Sequence, residues 1–245
     1  MGHASYKHLS IVSKHKSVLG IPKLSRMSNV VCGPCQLRKQ TKAKNLGTQT
    51  SATSRPLGLL HLDLMGPTRI ESLGGKRYIM VVVDDFTRFT WVILRRSKSD
   101  APEHIETLCT RLYNEKSLKI DRIQSDHGRE FENSYMESFC TRSGISQEFS
   151  ILITPQQNDV VKRKNRVIQE MARAMLYNKD VARNLWGEAV NTACHMVNMV
   201  YFRLGTKKTP YELWKGRKPN VKYFRIFGST YFILKDRENV GKFDS

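Results

Sequence analysis

Two aspartates and two cysteines are the residues whose types and spacing could do chemistry in this chain. Asp63 lies in "LLHLDLMGP" (59–67) and Asp126 closes "KIDRIQSD" (119–126), both runs with the alternation of short strands. If those strands lie side by side, the two carboxylates share one sheet edge and repel unless a cation sits between them. A hard divalent ion such as Mg²⁺ is the natural occupant. Two such ions held ~3.5–4 Å apart can activate a water or hydroxyl against a phosphodiester. The plainer reading, in which each Asp caps a turn or pairs with a nearby cation, stays open at this level. Cys32 and Cys35, in "CGPC", have the spacing of half a zinc site and need two more ligands. A CxxC without metal is the alternative.

Positioning such carboxylates requires an α/β layer fold, and the pattern reads as one. The run "YIMVVVDDF" (78–86) is almost wholly apolar and β-branched, as a strand buried on both faces must be. "FTWVILRR" (89–96) follows closely enough to pair with it as a hairpin. Residues 99–116 carry Ile105, Leu108 and Leu112 on one helical face, with Ser99 or Asp100 as cap. Residues 129–144 read as a second helix stopped by Gly144, and 145–150 as another strand. Two longer helices are expected over 160–178 and 181–203, then a terminal β-hairpin in "YFRIFGSTYFILK" (223–235). The polar stretch 42–56 reads as a linker between a small basic segment, 1–41, and a main domain, 57–222, with 223–245 as an extension.

The 245 residues include 41 Lys plus Arg against 22 Asp plus Glu, a formal charge of +19. Such a surface attracts polyanions, double-stranded DNA foremost, although basic residues also serve solubility. Five cysteines, three of them scattered, argue against a disulfide framework and for a reducing compartment. The N-terminus lacks the apolar run of a signal peptide, and no stretch approaches the ~20 apolar residues of a membrane span. An intracellular soluble protein is expected.

The stretch "PQQNDVVKRKNR" (155–166) is a turn-rich loop running into a helix that opens with Lys162, Arg163 and Lys164. Helix N-termini favour carboxylates, so three cations there are out of place. Together with "HLDLMGP", "YIMVVVDDFTRFTWV", "SDHGREF", "ITPQQN" and "RKNRVIQEMARAML", this loop resembles the integrases of copia-type retrotransposons over essentially the whole chain. The resemblance implies a ribonuclease H-like mixed sheet flanked by helices, preceded by a small zinc-finger-like segment. It also implies a polynucleotidyl transferase with a D,D-35-E triad on Mg²⁺ or Mn²⁺. Asp63 matches the first member and Asp126 the second. The third, 35 residues beyond Asp126, falls on Lys162. Asp159 stands where the family's pattern has a glycine, which is expected to stiffen a loop that bends around DNA.

An ammonium cannot ligate Mg²⁺, so the resemblance implies a slice of a Pol polyprotein whose copy of the integrase core is inactive. Its ancestral reaction is 3′-end processing and strand transfer. The alternative is a non-catalytic DNA-binding protein derived from an integrase. The resemblance also supplies zinc-binding histidines upstream of the cysteines. His3 matches one, which leaves His3, Cys32 and Cys35 as three ligands of four, with His8 or His15 as substitutes at other spacings. Lys162, Arg163, Lys164, Arg166 and Arg173 are the candidate nucleic-acid contacts, with Val161, Ile168, Met171 and Met175 facing the core. A solvated basic face remains the alternative. Asp84 and Asp85 point to opposite faces of their strand and are read as strand-end and turn residues. His127, beside Asp126, is read as a strand cap or a surface histidine, with a place near the site as the alternative. Nuclear residence and homo-oligomers follow only from the resemblance.

Overall fold

The computed structural model describes residues 4–21, 24, 32–33, 35, 53–149 and 159–230. Its centre is a five-stranded sheet in the order β3-β2-β1-β4-β5. The strands are β1 (Leu60–Met65), β2 (Tyr78–Asp84), β3 (Thr90–Arg95), β4 (Arg122–Ser125) and β5 (Ser146–Phe149). β1 and β2 pair antiparallel, as do β2 and β3, so the hairpin expected at 78–96 is present. β4 then joins β1 in parallel, and β5 joins β4 in parallel. The sheet is therefore mixed.

The helices are α1 (Tyr6–Lys14), α2 (Ala101–Lys116), α3 (Ser134–Ser143), α4 (Asp159–Asn178), α5 (Trp186–Val200) and the short α6 (Pro210–Lys215). A 3₁₀ turn, Arg183–Leu185, precedes α5, so the expected helix 181–203 begins and ends inside those bounds. Strand periodicity divides the core into two layers. Leu60, Leu62, Met80 and Val82 pack with Ile105, Leu112, Met136 and Trp214 on the α2/α3 side. Ile79, Val81 and Val83 pack with Val161, Ile168, Met171 and Val197 on the α4/α5 side. A strand buried on both faces is what "YIMVVVDDF" required.

Local signals set several ends. Asn133 caps α3 by accepting from Met136 N, so that helix starts later than residue 129. It stops at Gly144, whose φ of 66° only glycine adopts freely. Asp100 occupies the cap position of α2 without a side-chain cap bond, and Pro102 at the helix start sets the entry instead. Residues 223–230 form turns rather than a strand, because Phe224 and Phe227 pack on the α4/α5 cluster; 231–235 lie outside the described residues. Before residue 42, α1 packs on the main body: Val12 is buried against Met199 and Val221, and Leu19 bridges to Asn220. Of the stretch 42–56, Thr53 N and Oγ1 donate to Asp85 and Arg55 pairs with Asp121; residues 42–52 lie outside the described residues. No helix among the described residues is long and apolar enough to cross a membrane.

The outer strand β3 is held at its start chiefly by Asn198, with the Cys194 thiol beside it. Buried Asn198 accepts from Thr90 N at 2.9 Å and donates to Thr90 O at 2.7 Å. Asn198→Ala should orphan Thr90 N and leave Thr90 O only the weak Cys194 thiol donor at 3.2 Å, costing about 1–3 kcal/mol. A melting temperature unchanged from the native chain would show that water replaces both bonds.

Candidate active site

The β1–β4 pairing decides whether the two aspartates meet. Leu60 aligns with Ile123 and His61 with Gln124, so two further places along the same register set Asp63 opposite Asp126. The Leu residues of β1 face the α2/α3 layer, and Asp63 faces the opposite layer, beneath α4. Asp126 follows the last residue of β4, and its Oδ1 accepts from Gly128 N at 3.3 Å. The expected juxtaposition is therefore formed by neighbouring parallel strands.

From α4, Asn165 reaches across β1 and donates its Nδ2 to Asp63 Oδ2. Burial pushes the Asp63 carboxyl up to about 6, with the charges of Asp126 and, more weakly, Glu130 acting in the same direction. Lys162 and the Asn165 hydrogen bond oppose that rise. Lys162, one turn before Asn165, is exposed and acts on Asp63 through its field; no direct ion pair joins them among the described residues. The cation at the head of α4 is thus solvent-exposed, yet close enough for its field to reach Asp63.

Sequence reading missed Asn165 and Glu130. Asn165 is 4% exposed, and its Oδ1 has no partner. It interrupts the apolar stripe Val161, Ile168, Ala172, and a polar residue inside such a stripe is the signal that could have found it. Glu130 had no spacing to mark it.

Divalent metal does not fit this set well. Two carboxylates converge, the third position carries an ammonium, and no group of three His, Cys, Asp or Glu side chains could hold a metal ion among the described residues. Of the zinc candidates His3, Cys32 and Cys35, only the two cysteines are among the described residues. His3 lies outside the described residues, Cys32 is exposed and Cys35 half-buried. His8 Nε2 contacts Val200 O at 2.7 Å and its ring stacks on Tyr201, while His15 lies edge-on to Phe202.

The basic residues of α4 divide between two sides. Lys162, Arg166 and Arg173 are exposed and fall on one stripe, separated by four and seven residues. Arg163 is half-buried. Lys164, also half-buried, departs from the expectation: with Arg163 it lines a cavity of about 210 Å³ shared with Arg88, Tyr201 and Arg203, and burial pushes its ammonium down to about 8. Two residues along a helix are about 200° around it, so Lys162 and Lys164 cannot face the same ligand. Val161, Ile168, Met171 and Met175 are all at most 2% exposed, as their spacing required.

Asp84 and Asp85 serve the strand end. Asp84 accepts from Leu57 N and from Thr87 N, both at 2.8 Å, and burial raises its pKa. Asp85 takes the Arg88 guanidinium at 2.9 Å and faces His61 Nε2 at 3.0 Å. His127 is at the surface, stacked on Phe149 with ring centroids 5.0 Å apart.

Residues 53–155 match the family described as Integrase core domain. The chain is 31% identical, over 100% of its length, to the retrovirus-related Pol polyprotein from transposon TNT 1-94 of Nicotiana tabacum, and covers 18% of that protein. It is 28% identical over 95% of its length to the Pol polyprotein from transposon RE2 of Arabidopsis thaliana, covering 16% of it. The chain thus spans less than a fifth of these curated relatives. Among solved structures it is similar to the HTLV-2 integrase catalytic core domain in complex with magnesium, with a TM-score of 0.50 and 19% identity over 64% of this chain and 96% of that one. It is also similar to a chain of the simian T-cell lymphotropic virus intasome in complex with PP2A regulatory subunit B56 gamma, with a TM-score of 0.56 and 15% identity over 83% of this chain and 69% of that one. At these identities the structural likeness establishes the fold.

Proposed function

From the premise that this chain carries an integrase core domain with homologues among plant retrotransposon Pol polyproteins, we propose that it is a copia-type integrase core that binds DNA but has lost strand transfer. The observation that carries this reading is Lys162, a cation in the field of Asp63 at the position where the resemblance requires the third carboxylate. Attack of a water or 3′-hydroxyl on a phosphodiester needs charge stabilisation that two repelling carboxylates and an ammonium do not supply. Asn165 holds Asp63 in place, and Asp126 keeps its bond to Gly128, so the fold persists without the chemistry.

The solved relatives bear on partners and metal only by analogy. One is a core in complex with magnesium and the other an intasome. For this chain, weak Mg²⁺ or Mn²⁺ binding, homo-oligomers and a nuclear location are parts of the proposal, as is a zinc site around Cys32 and Cys35. The direct test is a nicking assay on a DNA end with Mg²⁺ and with Mn²⁺. No product above the Asp63→Asn background is expected; metal-dependent cleavage that Asp63→Asn abolishes would overturn the inactive reading.

Binding should remain. If Lys162, Arg166 and Arg173 each neutralise a phosphate, log K falls against log salt with a slope of about −3, or ~40-fold between 50 and 200 mM. Arg166→Ala with Arg173→Ala should make the slope shallower by about 2. Lys164→Ala should leave it unchanged, since Lys164 faces the other side. Salt-insensitive binding, or an equal effect from Lys164→Ala, counts against this face.

A further inference from the structure

A second site lies on the outer edge of the sheet. There β3, α2 and α5 line an open cavity of about 450 Å³, a size that suits a small molecule. Trp91, Ile93 and Leu108 supply apolar wall, and Arg95, Arg111 and His195 supply polar groups. The alternation of β3 puts Arg95 on the face of Trp91 and Ile93, the α2 side, away from Asp63.

Arg95 is 4% exposed, yet its Nε and Nη2 have no hydrogen-bond partner and no ion pair reaches it among the described residues. Asp100 and Glu103 attract it from a distance without touching it, and burial pushes its pKa down to about 10 against them. A buried guanidinium without partners is costly unless something completes it. The identity of the two orphans says what would. Nε–H and the adjacent Nη2–H lie parallel on one side of the guanidinium, the pair that takes two oxygens of a carboxylate or phosphate at once. Arg111 adds a second cation to the same cavity.

We propose that this cavity binds a small oxyanion, a carboxylate or a phosphate, gripped side-on by Arg95, whose two orphaned nitrogens are closed off from solvent here and turn toward the cavity to take it. The site is separate from the DNA-binding face and does not depend on it.

The test follows thermal stability of the full chain against inorganic phosphate in one arm and succinate in the other, at ionic strength matched with NaCl. A chain of charge +19 attracts anions diffusely, so the diagnostic signal is saturation that depends on Arg95. The native chain and the Arg166→Ala, Arg173→Ala pair should both show a saturable rise with at least one of the two anions. The arm that saturates identifies the oxyanion. Arg95→Met should lose the saturable part. Arg95→Lys, which keeps the charge and loses the fork, should bind about tenfold more weakly, and it serves alone if the methionine variant fails to fold. Equal responses from the native chain and Arg95→Lys, or a response in neither arm, would overturn the proposal.

Discussion

Lys162→Glu is expected to raise Mg²⁺ affinity on the order of 100-fold and to make the stability of the chain depend on metal. The substitution removes a cation from the field of Asp63 and adds a carboxylate one helical turn from Asn165, a swing of about two charge units beside a divalent ion. Without metal the new carboxylate joins Asp126 and Glu130 in repelling Asp63, so melting in EDTA should occur below that of the native chain. With saturating Mg²⁺ or Mn²⁺ the order should reverse, because the third ligand is present. The native chain should melt at nearly the same temperature in both buffers. Nicking of a DNA end should appear in the variant with Mn²⁺ first. It should increase when Asp159→Gly accompanies it, since Asp159 opens α4 where the family pattern has glycine. Identical melting of Lys162→Glu in EDTA and in Mg²⁺ would show that position 162 is not the third ligand.

Asp63→Asn should stabilise the native fold at pH 7.5 by about 1–3 kcal/mol and do little at pH 4. Asp63 has its carboxyl raised from 3.8 to about 6, by burial first and by Asp126 second. A raised carboxyl means the folded state holds the proton more tightly than the unfolded chain does. Below pH 4 both states are protonated and the residue costs nothing. Between about 4 and 6 only the folded state keeps the proton, so stability falls as pH rises through that window; above 6 the full cost remains. Asparagine imitates the neutral form at every pH. Its gain should therefore open across the same window and reach about 3–10 °C in melting temperature above it. The difference between the two chains isolates Asp63 from other titrations. A gain of equal size at pH 4 and 7.5 would mean packing rather than charge is responsible, and a loss at pH 7.5 would mean that Lys162 compensates Asp63 fully.

Much of the fold was legible because two periodicities carry it. The double-faced strand at 78–84 and the stripe of α4 follow from apolar spacing alone, and Gly144 marked a stop that needs positive φ. Where the reading failed, a local preference met a competing contact. Residues 223–230 alternate as a strand would, but Phe224 and Phe227 bury themselves on α4 and α5 instead of entering a ladder. Residues 129–132 suit a helix, but Asn133 caps it later. The helix at Tyr6–Lys14 is not among the elements expected from sequence; it docks one buried side chain, Val12, into a pocket made by Met199 and Val221, about two hundred residues on.

The candidate site divides the same way. The residue types at 63, 126 and 162 were fixed by sequence, and so was the charge conflict at the head of α4, since an ammonium in place of a carboxylate needs no coordinates to be seen. That Asp63 and Asp126 meet was decided by the parallel pairing of β1 with β4, a contact between strands far apart in the chain. Which cations face outward was also a tertiary decision. Lys164 and Arg166 are both cations and two residues apart, but packing of α4 against α5 half-buries one and exposes the other. Asn165 became a positioning residue because α4 crosses β1 at that point, and Arg95 became a buried cation because α2 and α5 close over the end of β3. Residue type and spacing act within a few turns of one element. Burial, field and partner depend on which element lies across the gap, and only the assembled fold supplies that.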